Sequence, residues 1–288
     1  MGRVGSALTL LLASSPAWAN NTAQTLPFSQ NWTDASLITT ANTWTNVPGI
    51  IGYNGSALSG SNPQLITADG TTSTVQVFAQ ALTTSTSGGI GEFDGLANPV
   101  VGFQGSGTAN APFLLLHLNT TGFMSINVSY LLRDVDGTGD NAVQAVALQY
   151  RVGSTGTFTN IAAGAVTDAT TGPNLATLTT AVSQVLPAAC DNQALVQVRI
   201  ITADASGSDE WVGIDDISVT GTSLVGPGPT GVGLANPTPQ SVTGTTTLTV
   251  TVTPGTSPAS TGLAVRADLT SIGGSATQAF ADDGVTPD

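Results

Sequence analysis

The chain has 288 residues, 40% of them hydrophobic, and a formal net charge of -13 at pH 7. Its basic residues are all arginines (Arg3, Arg133, Arg151, Arg199 and Arg266), with no lysine anywhere. That balance argues against direct nucleic-acid binding, because phosphate backbones are met by clustered Lys and Arg, and the missing lysine excludes a Walker A site.

The first element is a leader. Met1-Gly2-Arg3 gives a short basic start, Val4 to Ala13 an apolar run, and Ala17-Trp18-Ala19 a small-x-small cleavage signal. Residues 1–19 are therefore expected as a cleavable signal peptide, which makes the protein secreted and removes Arg3 from it. No run in the sequence reaches the roughly 20 apolar residues of a membrane span. Cys190 is the only cysteine, so an internal disulfide and a cysteine metal cluster are excluded.

Residues 20–221 carry short alternating segments punctuated by Gly, Asn, Asp and Pro, the signature of an all-β chain. Trp32, Trp44 and Tyr53 come first, as sandwich core in the favoured reading and as a sugar-stacking face in the other, with Trp211 added to the second. Strands are expected over 74–80, 113–118, 126–132, 146–152, 196–200 and 214–220, with a single loose turn within 174–184. In the last strand the period of two puts Asp215, Ile217 and Val219 on one face and Val212, Ile214 and Asp216 on the other. The fold expected for 20–221 is an antiparallel jelly-roll β-sandwich. At Ser223 the composition changes: Pro and Gly make 222–240 an extended linker. Residues 241–288 alternate again, as an incomplete Ig-like domain, since a complete one takes about 100 residues.

Catalysis has few candidates. His117, the only histidine, shares its expected face with Phe113 and Leu115 and reads as a half-buried structural side chain rather than an acid or base. No Gly-x-Ser-x-Gly elbow accompanies it, and no enzyme activity is expected of the chain.

The acidic residues are more specific. Asp134, Asp136 and Asp140 alternate around glycines, in a pattern that suits either an Asp-Gly turn or the oxygen-rich shell of calcium. Asp209, Glu210 and Asp215 form a second group, with Asp216 beside them. If the strands ending near 132 and starting near 214 are neighbours, both groups meet at one end of the sandwich, and one structural Ca2+ is the cofactor expected there. The competing account gives Asp215 a guanidinium partner from Arg133, Arg151 or Arg199.

The runs Val146 to Gly153, Leu195 to Ile200 and Asp209 to Ile217 together resemble a module at the front of large secreted bacterial proteins, several of which carry an endonuclease/exonuclease/phosphatase domain further along. The Trp211-Val212-Gly213-Ile214-Asp215-Asp216-Ile217 ending is also similar to that of MAM-like jelly-roll adhesion modules, and 255–284 resembles a bacterial Ig-like repeat. The resemblance implies a noncatalytic accessory region whose partners are downstream domains of the same polypeptide, an extracellular nuclease among them. The alternative is a structural or adhesive protein of the cell surface or matrix, with surface glycan or matrix as partner.

Overall fold

The computed structural model describes residues 19–78, 87–135, 142–170, 178–205, 209–236, 238, 244–256 and 259–282. The chain divides into two compact units, Met1–Thr222 and Ser223–Asp288. The leader residues 1–18 lie outside the described residues. Among those described, no helix is long and apolar enough to cross a membrane.

Unit 1 is a β-sandwich. Its strands are β1 (Gln24–Thr25), β2 (Phe28–Gln30), β3 (Ile50–Tyr53), β4 (Gly89–Phe93), β5 (Val100–Gln104), β6 (Phe113–Asn119), β7 (Phe123–Asp134), β8 (Val146–Val152), β9 (Thr159–Asn160), β10 (Thr179–Val185), β11 (Val196–Thr202) and β12 (Val212–Ser223). Sheet 1 runs β1-β6-β11-β8-β9 with β3 also on β6, and sheet 2 runs β10-β7-β12-β5-β4 with β2 also on β12. From β6 onward the longer strands alternate between sheets, which is the jelly-roll course expected from the sequence.

The core lies between the sheets. Leu116 pairs with Ile50 and Val198, and Leu114 with Gly52 and Ile200, so one face of sheet 1 presents an unbroken apolar layer. Leu114, Leu116, Val198 and Ile200 have no exposed area. Trp44, also fully buried, fills the space over Gly52, where a Cβ would stand 2.4 Å from its ring.

Three local expectations change. Residues 174–184 do not hold a helical turn where they are described, because Thr179–Val185 is an edge strand on β7. In the expected strand 74–80, the described part makes only isolated bridges at Val75 and Phe78. Within the expected linker 222–240, Thr230–Asn236 forms a strand.

That strand belongs to unit 2, which is the partial Ig-like part. Its strands are β13 (Thr230–Asn236), β14 (Thr247–Thr253), β15 (Arg266–Ala267) and β16 (Gln278–Ala279), arranged as two antiparallel pairs. An apolar groove of about 480 Å³ lies among Leu248, Val250, Val252, Leu263, Val265 and Phe280.

Candidate functional site

The acidic residues singled out by the sequence separate into different environments. Asp215 is 1% exposed and pairs with Arg133, whose Nη1 lies 2.8 Å from Oδ2. Asn98 Nδ2 donates to the same oxygen at 3.0 Å, and the Asp216 N–H donates to Oδ1 at 2.8 Å. Arg133 also donates to the Asn98 carbonyl at 3.2 Å. Both carboxylate oxygens thus have donors, the arrangement a buried carboxylate requires.

Asp209 accepts from the Ala205 N–H at 2.7 Å. Burial first, and then a hydrogen bond with the Asp204 carboxyl, push its acid up to about 7. Asp134 and Glu210 are buried. The segments carrying them do meet at one end of sheet 2, since β7 and β12 are neighbours and the Val135 N–H donates to the Trp211 carbonyl at 3.1 Å. Among the described residues, no group of three or more Asp, Glu, His or Cys is placed to hold a metal ion. Asp136 and Asp140 lie outside the described residues.

The tryptophans do not form a sugar-stacking face. Trp32 is 3% exposed, and Trp44 and Trp211 are fully buried. Trp211 meets Phe93 edge to face at 5.0 Å, and Tyr53 stacks on Phe113 at the same separation. Hydrophobic area and packing claimed these rings, as they do for most large aromatics.

The outer face of sheet 1 carries a polar array, and the chain itself seals it. Cross-strand pairing sets His117, Gln197 and Arg151 in one row and Leu115, Arg199 and Gln149 in the next. Arg199, wholly buried, donates to the carbonyls of Ile66, Ala68 and Asp69 and to Gln149 Oε1. Arg151 pairs with Asp69 at 2.9 Å, and both guanidiniums stack on Phe158, at 4.3 and 4.0 Å. Segment 63–69 is therefore fixed over this face by its own backbone carbonyls. His117 is buried rather than half-buried, with Nδ1 3.3 Å from the Gly49 carbonyl. Burial is the main reason its pKa falls to about 4, so the ring is neutral at pH 7.

The outer face of sheet 2 is covered at β4 and β5, where every residue is buried, and open along β10, β7 and the second half of β12. β12 pairs with β5 through Val212, Gly213 and Ile214, and then with β2 through Ile217, Ser218 and Val219. At the changeover Asp216 has φ +47°, and across from it Trp32 has φ +57°; both are left-handed residues without the freedom of glycine. The buried apolar side chains along β12 are Val212 and Ile214, then Ile217 and Val219, a step of three where alternation gives two, with Asp215 buried between them on its ion pair. One inserted residue of this kind is a β-bulge. It puts Asp215 out of phase with Ile217 and Val219, against the sequence expectation, and leaves Asp215 buried beside an exposed Asp216.

Only Asp216 remains in solvent. It opens onto a groove of about 310 Å³ lined by Ser29, Gln30, Asn31, Asp216, Ile217 and Ser218. Gln30 Oε1 accepts from the Trp32 N–H at 2.8 Å, and Trp32 Nε1 donates to the Ile214 carbonyl at 2.7 Å. The groove is thus held by a buried indole on one side and by the Arg133–Asp215–Asn98 set on the other. Gln30, Asn31 and Asn98 carry no local signal of this role, because their neighbours here are more than 100 positions away. An Asp-Asp pair near the changeover was the one legible cue, since Asp tolerates the left-handed region better than most residues.

No protein-family model matches the chain. No curated protein matches its sequence. Among solved structures, the enzymatically active domain of bacteriophage CBA120 tailspike protein 4 is similar at a TM-score of 0.27 and 6% identity, over 48% of this chain and 17% of that one. A carbohydrate-binding module specific for non-crystalline cellulose, CBM28, gives a TM-score of 0.32 and 16% identity over 50% and 86%. The K2 cleaved adhesin domain of Lys-gingipain gives 0.27 and 20% over 43% and 72%. Overlaps this small do not carry the fold, which rests on the strand ladders described above.

Proposed function

We propose that residues 20–222 act as a noncatalytic recognition module of an exported multidomain protein, attaching it to a surface or matrix glycan through the outer face of sheet 2. The observation that carries this reading is the groove at the β5-to-β2 changeover. Two non-glycine residues are held there in left-handed backbone, which costs of order 1–3 kcal/mol each and persists where surrounding structure over-determines it. A buried ion pair fixes the residue that bears the exposed carboxylate. Burial withdraws the neutral His117 from general acid–base work at pH 7, which fits noncatalytic action. The resemblance of the 146–217 motifs implies such a module ahead of an effector domain, with an extracellular nuclease as the class named by that resemblance.

The test is attachment of the full chain to polysaccharide-coated and cell-wall-coated surfaces. Native protein should be retained and Asp216→Gly should wash off. Equal retention of the two proteins would remove sheet 2 from the attachment.

A further inference from the structure

We propose that the Asp216 groove and the serine row beside it bind a neutral, hydroxyl-rich polysaccharide that lies across the strands of sheet 2, without a metal ion. This rests on the attachment reading above and specifies its ligand.

The groove's hydrogen-bonding inventory selects the chemistry. Gln30 Oε1 is occupied by the Trp32 N–H, and Asn31 Oδ1 by the Thr33 N–H at 3.3 Å and the Thr33 hydroxyl at 2.9 Å. Asn31 Oδ1 is thereby filled and Gln30 Oε1 keeps one lone pair, so most of what these two amides have left to offer is their NH2 groups, which donate. Beside them the Asp216 carboxylate only accepts, and it makes no ion pair among the described residues. A ligand group that accepts from an amide and donates to a carboxylate therefore uses the most of this one small groove. A hydroxyl does both. An ammonium or guanidinium has no acceptor, and a carboxylate or phosphate ligand meets Asp216 and a chain of net charge -13.

The polymer follows from what adjoins the groove. Ser183 on β10 pairs with Ser129 on β7, the Ser129 hydroxyl donates to the Ser218 carbonyl on β12 at 3.4 Å, and Ser218 pairs with Ser29 on β2. Four serines thus cross four strands on the outer face, and the row ends in the groove that Ser29 and Ser218 line. With strands about 4.8 Å apart, the row is about 14 Å long, so it suits a chain of repeating hydroxyls better than a single sugar. A peptide strand would dock on a sheet edge, where backbone groups are unpaired, rather than on a face.

The test is affinity electrophoresis of the full chain in gels holding dextran, laminarin or galactomannan, with polygalacturonate and polylysine as charged counterparts. At least one neutral polymer should retard the native protein, equally with calcium and with excess chelator. Asp216→Asn should weaken that retardation about tenfold, as loss of a charge-assisted hydrogen bond does, and Ser218→Val about threefold. Asp216→Gly relieves the left-handed strain, so it should melt no lower than native protein while losing the retardation; this separates binding from folding.

Retardation by polygalacturonate or polylysine alone, retardation that requires calcium, or native-like retardation of Asp216→Gly would each overturn the proposal. If Asp216→Gly washes off surfaces while no neutral polymer retards the native chain, the ligand class is wrong and the attachment reading stands. If Asp216→Gly stays attached to surfaces, both fall.

Discussion

The two units use the same alternating sequence to different ends. In unit 1, Val196, Val198 and Ile200 alternate with polar residues and are fully buried, because a second sheet covers their face. In unit 2, Leu248, Val250 and Val252 alternate with threonines in the same way and remain half-exposed. Among the described residues of unit 2, only Gly255 is buried. Alternation makes a strand in both places, whereas burial needs a second layer. Unit 1 has that layer, and unit 2 shows two ladders around an open apolar groove. Polar residues follow the same division: unit 1 can hold the Arg199 guanidinium in its interior because enough chain surrounds it to supply acceptors for all three of its nitrogens.

The largest effect should come from removing that guanidinium. Arg199→Met strands the carbonyls of Ala68 and Asp69 together with Gln149 Oε1, at about 1–3 kcal/mol for each buried group left unsatisfied, while Gln149 Nε2 still serves the Ile66 carbonyl. Urea unfolding followed by Trp fluorescence should show unit 1 losing at least about 3 kcal/mol; a loss below about 1 kcal/mol would mean that segment 63–69 is held by packing alone.

The contrast between units is tested directly by truncating one strand residue in each. Leu116→Ala should cost unit 1 about 2–5 kcal/mol through lost transfer energy and a cavity. Val250→Ala should cost unit 2 no more than about 0.5 kcal/mol, because its site is already partly solvated. Equal costs in calorimetry would mean that unit 2 has a packed core.

Asp215→Ala comes next. It leaves Arg133 without its carboxylate, but that side chain is 17% exposed and can reach water, so the loss should be about 2 kcal/mol and the same in calcium as in chelator. A loss that appears only with calcium present would transfer Asp215 from Arg133 to a metal.

The remaining effects concern pH, and they have opposite signs. His117 titrates near 4 when folded and near 6.5 when unfolded, so the unfolded chain takes up a proton that the folded one refuses. Stability from this group therefore falls as pH drops from about 6.5 to about 4, and His117→Gln should flatten that limb. Asp209 is raised from 3.8 to about 7, so the folded chain holds the extra proton. Its contribution is complete below about 4 and disappears as pH rises through about 7, and Asp209→Asn should flatten this opposite slope. Thermal melts from pH 4 to 8 on both variants would show whether the slopes separate; identical profiles would mean that neither group is perturbed.

Alternation and turn residues alone determined the all-β class, most of the long strands of unit 1 and the change of character at Ser223, because a period of two and a Pro-Gly run act within a few residues. They also named Arg133 as one possible partner of Asp215. Only the tertiary structure decided which arginine Asp215 meets, since Arg133 and Asn98 lie 82 and 117 positions from it. It decided too that the tryptophans are core and that His117 is sealed, because burial depends on which segment covers a face. The phase of β12 turns on one left-handed backbone at Asp216, which local sequence tolerates but does not require. That single torsion, held by contacts with distant strands, is what turns a pair of acids into one buried anchor and one exposed carboxylate.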